Sequence, residues 1–188
     1  MSLLTQHNVQ VLEQALALVA AHQRVGSPAY AGPVGAHLRH IVEHYEALLA
    51  PPVQGVVDYD SRPRDALLER CPNTAAARIA LLIERLQRIE QTGTETDTDT
   101  DTHLSVCVRI GSAGEWPVQV PSTLARELVF VSSHAVHHFA VLVPHCRAQG
   151  IAIDADFGKA PATLAHQLAH QQALAAAAPQ PESTLENA

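Results

Sequence analysis

Apolar residues recur at three- and four-residue steps across residues 3–23, where Leu3, Leu4, Val9, Val11, Leu12, Leu16 and Val19 share one face. That period predicts an amphipathic helix. "RVGSPAYAGPVG" interrupts it with two turn signals, Ser27-Pro28 and Gly32-Pro33, and Pro33 can open the next helix. A second stripe of Val34, Leu38, Ile41, Val42, Tyr45, Leu48 and Leu49 predicts a helix over 33–49, ended by "APPVQG". "VVDYDSRPRD" carries alternating charges and reads as a loop. Ile79, Leu82, Ile83, Leu86 and Ile89 mark the inner face of a third helix over 65–91.

The pattern then changes. "TGTETDTDTDTH", residues 92–103, has nothing to bury and reads as a flexible acidic loop. It lacks the glycine and the terminal glutamate of an EF-hand loop. "HLSVCVRIG" alternates in strand fashion and "EWPVQV" answers it across a Gly111–Gly114 turn, which predicts a hairpin. "PSTLARELVFVSSHAVHHFAVLVPHCRAQG" reads as a long fourth helix, with Ser122 as its N-cap and Pro144 straining its end. A short helix over 161–177 follows, and residues 178–188 have the composition of a disordered tail. The expected class is therefore all-α: a four-helix bundle with a small β-hairpin inserted before the last long helix, forming one domain over 1–175.

Composition narrows the function. The chain has 188 residues, 47% hydrophobic and 16% charged, enough for a real core. A formal charge of −7 and the lack of a basic run argue against a nucleic-acid partner. No stretch of 18 uninterrupted apolar residues and no signal-peptide pattern occurs, so no membrane span is expected. The three cysteines, Cys71, Cys107 and Cys146, are odd in number and form no CxxC pair, which fits a reducing cytoplasm better than a disulfide framework.

Histidine placement is the chemical signal. Two short runs hold six of the twelve histidines: His37, His40 and His44 in "GAHLRHIVEHYEALL", and His134, His137 and His138 in "SSHAVHHFAVL". His134 and His138 are one turn apart and roughly 40° apart around a helix, the spacing by which one helix supplies two imidazoles to one ion. His137 could replace His138 but hardly join both. His37, His40 and His44 border the apolar stripe of their helix, and wheel geometry sets His37 and His44 slightly closer to it than His40. A third ligand from that border would complete a three-histidine site between helices, with positions left for water or substrate. Glu43, Glu127, Tyr59 and Arg62 are candidates to stand behind the ligands or to face substrate, Glu43 and Glu127 foremost for the first role. His7, His22, His103, His166 and His170 read as ordinary surface or helix-boundary residues.

"GAHLRHIVEHYEALL", "VDYDSRPRD" and "LARELVFVSSHAVHHFAVL", with a weaker echo in "DFGKAPATL", resemble the DinB/YfiT-like superfamily of metal-binding helical bundles. The resemblance spans roughly residues 30–165. It implies a divalent metal held by His40, His134 and His138, with His37, His44 and His137 in reserve. Imidazole ligands suit zinc or nickel, and also iron. The resemblance further implies a metal-dependent enzyme, a thiol-dependent transferase or a hydrolase, acting on a small molecule such as a low-molecular-weight thiol. The alternative is a non-catalytic, metal-stabilised bundle serving as a structural or interaction module, for which a homodimer is one form.

Overall fold

The protein is described here from a computed structural model, covering residues 2–25, 28–50, 55–91 and 102–177. The acidic tract expected to be flexible lies outside these residues except for Thr102 and His103, and the expected tail lies wholly outside them.

Six α-helices and three β-strands are formed in the described residues. Helix α1 spans Leu3–Val25 and α2 spans Pro33–Leu49, with a single 3-10 turn at Pro28–Ala31 between them. Strand β1 is Val56–Asp58, α3 is Ala66–Arg70 and α4 is Pro72–Gln91. Strands β2 (His103–Ile110) and β3 (Trp116–Thr123) lead into α5 (Leu124–Ala148), and α6 is Pro161–Ala177.

Helices α1 and α2 each pack against both α4 and α5. The core between them holds Leu12, Leu18, Leu38, Tyr45, Leu82, Leu128 and Phe139, all essentially inaccessible. Tyr45 buries its hydroxyl by donating to Oδ1 of Asn8 at 2.8 Å, and Asn8 donates to the Leu4 carbonyl. The polar pair therefore costs little in the apolar interior. Gly35 sits where α2 crosses α3. A Cβ there would fall 1.9 Å from the Glu69 carbonyl oxygen, so the crossing needs glycine.

The all-α expectation is wrong. The hairpin is two-thirds of a mixed sheet of order β1-β2-β3. β1 pairs parallel to β2 (Val57 opposite Val106), and β2 pairs antiparallel to β3 (His103 opposite Thr123 through Ile110 opposite Trp116). The strand missed by the periodicity is only three residues long, at the start of the segment read as a loop. A parallel partner also needs a long crossover, and here α3 and α4 supply it. Side chains of Val57, Leu104 and Val106 join the main core, so the sheet is part of one helix-rich α and β fold rather than an insertion on a bundle.

Two element boundaries also differ. The expected third helix is broken at Cys71, which is extended (φ −117, ψ 105). Pro72 forces this, because the residue before a proline avoids the helical region, and Pro72 then opens α4. The N-cap of α5 is Thr123, which accepts from the Arg126 amide at 3.2 Å, while the Ser122 hydroxyl turns to Glu127. Pro144 lies inside α5, which continues to Ala148. By length and composition α5 is the one helix among the described residues that could cross a membrane. In this fold it is a core helix, with Leu128, Val131, Ala135, Phe139 and Leu142 buried.

Candidate functional site

The packing of α2 against α5 turns the two histidine runs toward each other. His40 and His134 meet through their Nε2 atoms at 2.8 Å, and Nε2 of His138 lies 3.1 Å from that same Nε2 of His134. His37 closes the outer end, its Nδ1 2.7 Å from Nδ1 of His138. His44 lies beside His40 and His134, with ring centroids 4.2 and 4.7 Å away. One ligand atom from each of His40, His44 and His134 can be chosen so that all lie within 4.8 Å. His137 points aside, touching the cluster only edge-on at His138, with 5.6 Å between centroids.

Five of the six histidines singled out by spacing are thus brought together. His44, held in reserve by the sequence reading, is as central as His138. Elsewhere, His22 is buried, not a surface residue, and its Nδ1 lies 2.9 Å from the Leu18 carbonyl. His103 begins β2, the strand that the alternation predicted from that residue.

Aromatic rings wall the cluster. Phe130 stacks on His134 (5.6 Å, 17°) and Tyr59 on His44 (5.3 Å, 22°). Tyr59 and Phe130 also line a cavity of about 280 Å³ between α5 and the sheet, together with Val106, Val108 and Val120. A second, shallower cleft of about 240 Å³ opens directly onto His37, His40 and His138, with Arg39 at its rim.

Burial keeps the imidazoles neutral. Desolvation is the largest cause throughout: it pushes His40 down to about 3 and His44, His134 and His138 each down to about 4, with neighbouring positive groups adding to the effect. His37, more open, is lowered by the same cause. At neutral pH every one of these rings carries one proton and one lone pair.

Arg62, from the segment after β1, decides where those protons sit. Its Nη1 lies 3.0 Å from Nε2 of His44 and its Nη2 lies 3.3 Å from Nδ1 of His40. A guanidinium only donates, so both ring nitrogens are acceptors. His44 then carries its proton on Nδ1 and donates it to the His40 carbonyl at 2.7 Å. His40 carries its proton on Nε2 and donates to His134. Nε2 of His134 is therefore a lone pair taken by His40; the longer approach of His138 Nε2 at 3.1 Å can only share it, with His37 then donating to Nδ1 of His138. A single cation thus orders the tautomers of His40, His44 and His134.

The two carboxylates stand one layer out. Glu43 accepts from the Asp65 amide at 2.6 Å through Oε1. Its Oε2 faces Arg39 Nη1 at 3.6 Å and Arg62 Nε at 3.7 Å, hydrogen-bonded to neither. Glu127 is wholly buried and accepts from Tyr59, Ser122 and Arg126. Neither touches a histidine of the cluster. The sequence singles out Arg62 as a candidate but not its contact with the histidines, because a loop arginine has no periodicity to fix its direction.

Fold and site together define a helix-rich α and β protein with a neutral histidine cluster between two core helices. The chain is similar to a protein named FK506-binding protein 5 from Rhizopus delemar, 31% identical over 111 residues. The match covers 59% of this chain and 27% of that protein, so the chain spans about a quarter of the length of the curated relative it matches. No family model matches the chain. No solved structure matches it. These findings overturn the assignment to the DinB/YfiT-like superfamily. Short segments that resemble a family's motifs do not by themselves carry its fold or its function.

Proposed function

We propose that this protein binds a divalent metal ion through His40, His134 and His138 and presents it to a small molecule entering the cleft at His37, His40 and Arg39. The observation that carries this reading is the meeting of three imidazole Nε2 atoms from two helices around His134, at 2.8 and 3.1 Å. Tetrahedral zinc with Zn–N of about 2.0–2.1 Å sets its ligand nitrogens roughly 3.3 Å apart, so a small outward movement of the rings would admit an ion. His44 is the rival third ligand. His138 is preferred because its Nε2 already adjoins that of His134 from the next turn of the same helix.

The donor set suits zinc, nickel or iron. Three neutral ligands leave the ion its full charge, and such an ion supplies Lewis acidity to a bound water or substrate oxygen or sulfur. The chain's own residues supply the rest. Arg39 at the rim favours a substrate with an anionic group, and Phe130 and Tyr59 exclude water from the side facing the sheet. A low-molecular-weight thiol remains one substrate candidate, and a transferase or hydrolase the reaction class.

A second reading is favoured by one observation. The chain of donors running from Arg62 through His40 to His134 satisfies these nitrogens with no ion, as a structural seam between α2 and α5 would. Cobalt titration separates the two. Stoichiometric uptake with a visible d–d spectrum, altered by added thiol or azide and lost in His134→Ala, supports the metal site with an open position. No uptake by the intact chain leaves the structural seam.

A further inference from the structure

We propose that Arg62 is a built-in stand-in for the cation, a two-position guanidinium that must leave the histidines before a metal can bind. This rests on the metal-binding reading above and adds to it a control of the same site. An imidazole binds a metal through a nitrogen that carries no proton, and its other nitrogen must then carry one and find an acceptor.

His134 already offers its Nε2 lone pair. His138 can free its own by passing its proton to Nδ1, where the Nδ1 of His37 at 2.7 Å can turn from donor to acceptor. His40 cannot do the same. Moving its proton to Nδ1 would point an N–H at Nη2 of Arg62, 3.3 Å away, a group with no lone pair to give. If His44 is the third ligand the obstacle is the same residue. His44 has the preferred backing for a ligand, Nδ1–H on a carbonyl, but its Nε2 lone pair is taken by Nη1 of Arg62. Whichever trio forms, Arg62 stands against it, and its charge repels the incoming ion as well.

The structure also supplies the place to which Arg62 withdraws. Nε of Arg62 and Oε2 of Glu43 are both buried and both without a hydrogen bond, and they face each other at 3.7 Å. Buried charged groups left so are costly, and closing the gap would satisfy both at once. A shift of the guanidinium by roughly 1 Å toward Glu43 turns that contact into a hydrogen bond of ordinary length and draws Nη2 off His40. In one position Arg62 serves the histidines; in the other it serves Glu43 and uncovers them.

The experiment is zinc titration by calorimetry on the full chain, wild type, Arg62→Met, Glu43→Gln and the double variant, with long-range 15N spectra of the metal-free histidines. Arg62→Met is expected to bind zinc at least tenfold more tightly than wild type. Glu43→Gln, whose amide would oppose the withdrawn arginine, is expected to weaken binding in the wild-type background and to change little once Arg62 is Met. The spectra should show the His44 proton on Nδ1 and the His40 proton on Nε2 in wild type, with that order lost in Arg62→Met. Equal or weaker zinc binding by a folded Arg62→Met overturns the proposal while leaving the metal site standing. If Arg62→Met does not fold, Glu43→Gln decides: unchanged affinity there overturns it. Absence of zinc binding in every variant removes the metal reading and this proposal with it.

Discussion

The phenol of Tyr59 donates to Oε2 of Glu127 across 2.8 Å, joining the end of β1 to the first turn of α5 beneath the histidine cluster. Glu127 has no exposed surface, and Ser122 and Arg126 hold its other oxygen. Removing one buried partner costs more than the bond was worth, because the other is left desolvated. Glu127→Ala leaves the Tyr59 hydroxyl buried without an acceptor, a loss of about 1–3 kcal/mol for that group alone. Tyr59→Phe, which leaves Glu127 two donors, should cost less. Urea unfolding checks the order, and a Tyr59→Phe loss equal to that of Glu127→Ala would contradict it.

Metal uptake should follow the geometry of the cluster. His134→Ala removes the nitrogen on which the others converge and should abolish stoichiometric binding, as should His40→Ala. His138→Ala should lower affinity at least tenfold. His137→Ala should leave it close to wild type, since that ring only flanks His138. Equal loss in the His137 and His138 variants would reverse the register on α5. A loss in His44→Ala greater than in His138→Ala would transfer the third position to His44.

Acid should loosen the fold before the carboxylates titrate. His40 is held near about 3 and His44, His134 and His138 near about 4, while an unfolded histidine titrates near about 6.5. Between those values the unfolded chain binds more protons than the folded one, so stability falls as pH falls. It should be fully present above about pH 6.5, decline through pH 5, and level off for these groups only below about 3, where His40 has also titrated. Denaturation midpoints taken at intervals from pH 7.5 to 4 test this. A profile that His134→Ala does not flatten would place the acid sensitivity elsewhere.

Gly35→Ala should destabilise although alanine favours helices. Its methyl would press on the Glu69 and Tyr30 carbonyl oxygens, both backbone atoms that cannot swing away. Overpacking of this kind costs about 1–3 kcal/mol, against a helix-propensity gain of about 1 kcal/mol. A thermal midpoint at or above wild type would show that α3 can yield.

Helical periodicity carried far in this chain. The stripe from Val34 to Leu49 predicted α2 over the residues it occupies, Pro33–Leu49. A helix wheel fixes which residues share a face, and five of the histidines do meet across α2 and α5. The sequence was silent where the answer depends on distant partners. Val56–Asp58 becomes a strand only because β2 lies beside it, and three residues hold no period to read. Cys71-Pro72 was legible in principle, since a proline opens helices more readily than it continues them. The apolar stripe from Ile79 to Ile89 suggested one helix over 65–91 and masked it. The direction of Arg62 is set by two histidines 18 and 22 residues earlier, a relation no local pattern encodes. The superfamily resemblance failed for a related reason: it rested on short segments, and no whole-chain comparison supports it.

The prolines of β3 carry a consequence for how copies of the chain can meet. Pro117 and Pro121 lie opposite Arg109 and Ser105 in an unbroken ladder. Their missing N–H groups therefore point away from β2, both on the same open side. A strand arriving from another molecule would find two of the donors it needs absent there. At the sheet's other margin it would meet only the three residues of β1. Among the described residues neither margin is a good template for adding strands, which leaves side-chain contacts as the favoured route of self-association. Trp116, Ile110 and Val120 are the exposed apolar groups the hairpin has to offer.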